Sequence, residues 1–140
     1  ARNVIPLAGN LTENGYSDEE MKFVNESRKI LNIPQLIVEP SNARVGVKTG
    51  HGIFCSATFE EETDVQEAIR LIDSFDGVEY WKDKLPTPLD AEGNKKVLVG
   101  RMRNGLSDNR ILNFWAVSDN LLKGAALNAV QIARYIVDND

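Results

Sequence analysis

Two strand-like segments around a turn place the strongest constraint on the fold of this chain. Residues 97–103 and 111–117 are rich in β-branched and apolar side chains, and residues 104–109 between them contain Asn, Gly, Ser and Asp. This pattern predicts a β-hairpin. Because further short strands alternate with helical segments, we expect an α+β fold with a mixed, mostly antiparallel sheet covered by helices on one face.

A capping-box sequence marks the start of the first helix. Ser17 is followed three residues later by Glu20, the pattern in which each side chain bonds the backbone amide of the other residue. The apolar face that follows ends near Asn32 and Pro34. We therefore predict a helix between these signals, preceded by an irregular segment over residues 1–16.

The middle of the chain is predicted from similar local signals. Thr63 and Gln66 repeat the capping-box pattern and predict a helix that stops at Asp76 and Gly77. Residues 82–94 contain two prolines and a glycine, which predict a long loop. Further strands are predicted at residues 35–38, 44–48, 52–60 and 78–81.

The last helix is predicted over residues 119–137 and carries two apolar stripes. Such a pattern is typical of a helix that is buried around more than half of its circumference. Small residues such as Gly124 and Ala126 would let a flat ligand approach, and the amides near Gly124 could face an anion. Simple tight helix packing is the alternative explanation for these small residues.

Composition restricts the partners of the chain. It has 140 residues, 42% of them hydrophobic, with 16 basic and 21 acidic side chains and a net charge of −5. This size fits one domain, and the acidic balance argues against a nucleic-acid partner, because phosphate contacts need clustered cations. No apolar stretch approaches the roughly 20 residues that span a bilayer, so we expect a cytoplasmic protein without a membrane partner.

The only cysteine, Cys55, lies in an alternating apolar run. Ile53, Ala57 and Phe59 would share its face of a strand. An apolar setting raises the pKa of a thiol and makes it inert, so we predict that Cys55 packs in the core rather than acting as a nucleophile. A single cysteine also cannot form an internal disulfide, which agrees with the cytoplasm.

Arg44 and His51 are the first candidates for chemistry. His51 is the only histidine in the chain. An imidazole titrates near neutral pH, and a guanidinium can hold a carboxylate through paired hydrogen bonds. The two residues therefore suggest proton transfer beside an anionic substrate, although a solvated turn histidine and a surface arginine would give the same pattern.

Longer motifs extend over almost the whole chain. They occupy residues 3–6, 14–16, 19–22, 44–45, 50–51, 86–93, 99–103 and 118–133. In these segments the chain resembles aspartate-semialdehyde dehydrogenase. The last segment, SDNLLKGAALNAVQIA, is the most specific, because a chance match over so many consecutive positions is implausible.

The resemblance implies both a fold and a reaction. The fold would be like the C-terminal domain of glyceraldehyde-3-phosphate-dehydrogenase-type enzymes. The reaction would be the NADP-dependent interconversion of aspartyl phosphate and aspartate semialdehyde with phosphate, in lysine (diaminopimelate), methionine and threonine biosynthesis. By resemblance, His51 is the catalytic acid/base residue and Arg44 binds the substrate carboxylate. Glu19 accepts the substrate amino group, and Lys22 receives the phosphate.

The resemblance also implies a cofactor side and a missing part. Gly124, Asn128 and Gln131 would lie near NADP, which is bound mainly by a dinucleotide-binding domain. The glycine-rich turn of that domain and the family's nucleophilic cysteine have no counterpart here. We expect residues 1–140 to be a single, partial substrate-binding and dimerisation domain of a homo-oligomer, inactive alone, with 119–137 packing on the absent domain. A start at Ala1 rather than Met agrees with a piece of a longer protein. No metal site is predicted.

Two alternatives remain open. One is a noncatalytic interaction or dimerisation module derived from such an enzyme; the presence of all four substrate and catalytic residues argues against it. The other is a domain like that of N-acetyl-glutamyl-phosphate reductase, whose substrate has a blocked amine. Glu19, an anionic partner for an ammonium group, argues against that enzyme.

Overall fold

The computed structural model describes residues 3–139, which form two compact units divided between Gly46 and Val47. The first unit contains helix α1 (Asp18–Leu31). The second unit contains strands β1 (His51–Thr58), β2 (Val78–Trp81), β3 (Val97–Asn104) and β4 (Ile111–Ser118), helices α2 (Val65–Asp73), α3 (Pro88–Ala91) and α4 (Leu127–Asn139), and a π-helical turn at Leu122–Ala126.

The predicted first helix is confirmed at both ends. The Ser17 hydroxyl accepts from the Glu20 amide at 3.1 Å, and the Glu20 carboxylate accepts from the Ser17 amide at 2.7 Å. Together these bonds satisfy two amides that a helix start would leave free. Asn32 ends α1 in the left-handed conformation, with φ 55°, which asparagine tolerates better than most residues.

The predicted strands at 35–38 and 44–48 are wrong. Arg44 forms a single antiparallel bridge with Ile5, and no ladder develops on either side of it in the described chain. In residues 35–38, a side chain rather than a partner strand bonds the backbone: the Arg28 Nε donates to the Leu36 carbonyl at 2.9 Å. Propensity for extended structure does not make a strand without a partner strand.

The second unit contains a four-stranded sheet in the order β1-β4-β3-β2. The β1–β4 and β3–β4 pairs are antiparallel, and β2 runs parallel to β3. The predicted hairpin and the mixed, mostly antiparallel sheet are therefore confirmed. A bulge between Gly100 and Arg103 interrupts β3 and places Arg101 at φ 57°.

Helix α2 covers one face of this sheet. Val99, Met102 and Leu112 are buried beneath it. The predicted Thr63 capping box is wrong, because Asp64 caps the helix through the amide of Gln66 at 2.8 Å. α2 also ends at Asp73, earlier than the predicted stop.

The opposite face of the sheet is contacted by the segment that was predicted to be a loop. Ala91 from this segment is buried against Leu98 and Val117. The segment contains the one-turn helix α3, so the prediction of a continuous loop is wrong. The Asp90 carboxylate accepts from both the amide and the hydroxyl of Thr87, at 2.9 and 2.6 Å, and so stabilises this turn.

The last helix differs from its prediction at its beginning. Its beginning is the π-helical turn, which precedes α4. None of residues 127–139 is buried, and Val130, Ile132, Tyr135, Ile136 and Val137 are all more than half exposed. Exposed stripes are what we expect of a helix whose predicted packing partner lies outside this chain. A stripe of this kind is typical of a surface that contacts another part of a protein. No helix of residues 3–139 combines the length and apolar character that a membrane crossing needs.

Candidate active site

The first unit presents two charged candidates on consecutive turns of α1. The Lys22 ammonium lies 3.2 and 3.3 Å from the two carboxylate oxygens of Glu19. Both side chains are about half exposed, at 58% and 49%. The hydrogen bond from Lys22 to Glu19 raises the pKa of Lys22, because it stabilises the charged amine.

Glu20, the residue between these two, ties the start of α1 to the segment that carries Arg44. Its second carboxylate oxygen accepts from the Asn42 amide at 2.7 Å. The backbone amides of Ser17 and Asn42 hold the pKa of Glu20 below its ordinary value, because they stabilise the charged form. The Tyr16 hydroxyl adds a second tie by donating to Glu39 at 2.9 Å.

Arg44 is held by its backbone rather than by its side chain. Its amide donates to the Ile5 carbonyl at 2.8 Å, and its carbonyl accepts from the Ile5 amide at 3.0 Å. The residue is exposed. The two backbone bonds fix the position of the Arg44 Cα. The guanidinium, which has five N–H donors, lies at the surface of the first unit.

His51 belongs to the second unit, where it begins edge strand β1 and pairs with Ser118, the last residue of β4. His51 is exposed, whereas the preceding Gly50 is buried. The Gly50 amide donates to the Asn120 side-chain oxygen at 2.8 Å. An exposed imidazole on a fixed strand end can exchange a proton with a bound group.

Asp119, which is not among the predicted site residues, bonds several backbone amides near this strand end. Its buried carboxylate accepts from the amides of Gly93, Leu121 and Leu122 at 2.9, 2.8 and 3.0 Å. These bonds, the one from Gly93 first, hold its pKa below the ordinary value. An acidic residue between a strand and an apolar helical segment is a capping signal, and that signal could have identified it.

The three predicted cofactor residues lie in the π-helical turn and α4. The Gly124 amide donates to the Asp119 carbonyl at 3.2 Å, so this one amide is not free to face an anion. A Cβ on Gly124 would have no neighbour closer than 3.9 Å, which leaves room for a flat group. Gln131 accepts from the Lys123 ammonium at 2.8 Å, and Asn128 is exposed.

Cys55 is half-buried on the α2 side of β1. It lies opposite Phe114 of β4, which packs toward the buried Val99 cluster. Burial raises the pKa of the Cys55 thiol. This environment agrees with a packing role, because only the thiolate is an effective nucleophile.

These features match a known family of dehydrogenase domains. Residues 1–123 match the family described as semialdehyde dehydrogenase, dimerisation domain, and the chain belongs to that family. Aspartate-semialdehyde dehydrogenase 2 of Vibrio cholerae is 41% identical over 139 residues, which is 98% of this chain and 41% of that protein. Aspartate-semialdehyde dehydrogenase of Corynebacterium melassecola is 45% identical over 141 residues, which is 98% of this chain and 40% of that protein.

Solved structures agree with this assignment. The crystal structure of aspartate semialdehyde dehydrogenase II from Vibrio cholerae superposes with a TM-score of 0.95 at 41% identity, covering 99% of this chain and 42% of that one. A second structure of the enzyme is described as complexed with ASA and gives a TM-score of 0.94. The predicted family is therefore confirmed, and the chain spans about two fifths of the length of the relatives it matches.

Proposed function

We propose that this chain is the substrate-binding and dimerisation part of an aspartate-semialdehyde dehydrogenase. The full enzyme would carry out the NADP-dependent reductive dephosphorylation of aspartyl phosphate to aspartate semialdehyde. The supporting observation is the near-complete superposition on the Vibrio cholerae enzyme, one of whose structures is described as complexed with ASA. The chain alone is expected to be inactive, because the nucleotide-binding domain and the nucleophilic cysteine would lie outside it.

Three residues of the first unit are proposed to bind substrate. Arg44 would hold the α-carboxylate through paired hydrogen bonds, Glu19 would accept the α-ammonium, and Lys22 would receive the phosphate. Glu19 and Lys22 pair with each other in the structure. Because an exposed pair of this kind contributes little free energy, substrate groups of opposite charge could replace it at low cost.

His51 is proposed to move the proton. Its exposed imidazole at the start of β1 would accept the thiol proton and hold a proton at the carbonyl oxygen. When bound, NADP supplies or accepts a hydride. Gly124, Asn128 and Gln131 are proposed to lie on the cofactor side, and the open space at Gly124 supports contact with a flat group.

A second copy of the chain is the proposed partner, in a homodimer or a higher homo-oligomer. The family description as a dimerisation domain supports this. An apolar groove between α2 and the sheet also supports it, because exposed apolar surface of this kind favours association. The groove is lined by Leu71, Ile72, Phe75, Val78, Val97, Val99, Phe114 and Ala116. A cytoplasmic location remains a prediction.

A chimera tests the proposed reaction. Residues 1–140 would replace the matching part of the Vibrio cholerae enzyme, and phosphate-dependent NADP reduction would be measured with aspartate semialdehyde. We expect turnover, and we expect His51→Ala to abolish it while the exposed turn variant Leu106→Ala preserves it. Turnover of only the N-acetylated glutamate semialdehyde would support the reductase alternative. A folded, inactive chimera would support the noncatalytic module.

A further inference from the structure

The amide of Gly50, next to the proposed catalytic histidine, is held by a distant side chain. Asn120 accepts this hydrogen bond at 2.8 Å through its side-chain oxygen, across 70 positions of sequence. The β1–β4 ladder ends at the His51–Ser118 pair. The side chain of Asn120 therefore continues the connection between the two strands one residue beyond their last pair.

The backbone of Gly50 needs such a restraint. It has φ +100°, a conformation that favours glycine. A Cβ at this position would also come within 3.2 Å of the Ser118 carbonyl oxygen and 3.6 Å of the Pro88 Cβ. Glycine is the most flexible residue of an unrestrained chain, and it has no side chain whose packing could fix the peptide that leads into His51.

Asn120 is itself held on both sides. The preceding Asp119 is buried and bonds the Gly93 amide at 2.9 Å. The same carboxylate bonds the following amide, that of Leu121, at 2.8 Å. Asn120 thus projects from a backbone that is fixed immediately before and after it, which is the arrangement that a positioning group requires.

We infer that Asn120 is a positioning residue that orients His51 for proton transfer by holding the Gly50 amide. The inference rests on the proposed function, since His51 must take part in the reaction for its orientation to matter. Loss of the bond would remove one restraint on the Gly50 backbone, which would widen the range of Cα–Cβ directions open to His51. A displacement of about 1 Å at a reacting group is enough to reduce rates strongly.

The structural part can be tested by NMR on the chain as it stands. His51 is the only histidine, so the imidazole gives one set of signals. We expect Asn120→Ala to speed hydrogen exchange of the Gly50 amide by about fivefold or more, and to broaden or shift the His51 signals. Asn120→Asp keeps an acceptor oxygen and should retain the protection, while Asn109→Ala, an exposed turn variant, should change neither signal.

If the spectrum of Asn120→Ala shows that this variant is not folded, Asn120→Ser is used in its place. The serine hydroxyl is one bond closer to the backbone than the asparagine side-chain oxygen, so it cannot reach the Gly50 amide unless the backbone moves. Unchanged Gly50 exchange and unchanged His51 signals in a folded variant would overturn the inference.

The catalytic part is tested in the chimera. We expect Asn120→Ala to lower kcat by about tenfold or more while KM for aspartate semialdehyde changes little, with partial recovery in Asn120→Asp. Wild-type kcat in Asn120→Ala, with His51→Ala inactive, would contradict the inference alone. Full activity in His51→Ala would instead contradict the proposed role of His51.

Discussion

The indole ring of Trp115 lies directly over Gly52, so a methyl group added to Gly52 would overlap the ring. The ring cannot easily move away. Its Nε1 donates to the Pro86 carbonyl at 2.7 Å, and its centroid lies 4.6 Å from that of Phe54. This contact fixes β1 one residue after His51, on the face of the sheet opposite α2.

Gly52→Ala should therefore destabilise the second unit by about 1–3 kcal/mol, the usual range for overpacking a well-filled site. Urea unfolding followed by tryptophan fluorescence measures the change. Gly124→Ala is the matched control, because the space around Gly124 is open and helical alanine is preferred to glycine. Equal unfolding midpoints for Gly52→Ala and the parent chain would contradict the tight contact.

Ser17→Ala should lower stability by about 1 kcal/mol, the typical contribution of a helix N-cap. Ser17 is fully buried, and its hydroxyl is one half of the capping box of α1. Urea unfolding followed by circular dichroism measures the loss. Ser107→Ala, on the exposed β3–β4 turn, should unfold as the parent does, and a Ser17→Ala chain that also does so would contradict the role of the cap.

Stability should fall as the pH is lowered below about 5, because carboxylates that are hydrogen-bonded in the folded chain must then take up protons. The folded pKa values of Glu20 and Asp119 lie below their ordinary values of 4.5 and 3.8. The two carboxylates therefore stabilise the fold at pH values above their ordinary pKa values. This stabilisation is lost as the pH falls through their pKa values in the folded chain. Asp119→Asn should weaken the dependence of the urea midpoint on pH, whereas Asp83→Asn at an exposed site should not. An identical pH dependence in Asp119→Asn would contradict this explanation.

Leu71→Lys should weaken self-association. Leu71 is 60% exposed on α2 and lines the apolar groove, so a charge there would be buried in any dimer formed through this surface. Sedimentation velocity should show a dissociation constant raised by roughly tenfold or more. Leu106→Lys, on the fully exposed turn, is the control. A parent-like dimer in Leu71→Lys would exclude the groove as the contact surface.

Cys55 should react slowly with a thiol reagent in the folded chain. Its half-buried position raises the pKa of the thiol, and a thiol without thiolate character is a weak nucleophile. Intact-mass labelling at pH 8 should be roughly tenfold or more slower than in urea-unfolded chain. Equal rates in the two states would show that Cys55 is open to solvent.

Local signals in the sequence predicted the parts of the fold that depend on neighbouring residues. The β3–β4 hairpin and the Ser17 capping box both form within a few positions of chain. The Thr63 cap failed because the adjacent Asp64 could also cap. The Thr63 hydroxyl instead donates to the carbonyl of Asn109, 46 positions away, at 3.0 Å, and Asp64 caps the helix.

For the candidate site, the sequence suggested individual residues with suitable chemistry, but not the hydrogen bonds that connect them to the rest of the fold. Residue chemistry suggested Arg44 and His51, and the resemblance added Glu19 and Lys22; the neighbouring groups that bond to their segments were not predicted. Asn120 bonds an amide 70 positions away, and an asparagine on a turn gives no sign of such a partner in the sequence. The roles proposed for the four residues stay predictions.

The Glu20 carboxylate bonds two backbone amides. One oxygen accepts from Ser17 at the start of α1, and the other accepts from Asn42, two residues before Arg44. We therefore expect fraying of the first turn of α1 to loosen the segment that carries Arg44 as well. A substitution within residues 42–44 that withdraws the Asn42 amide would therefore also weaken the start of the helix that carries Glu19 and Lys22.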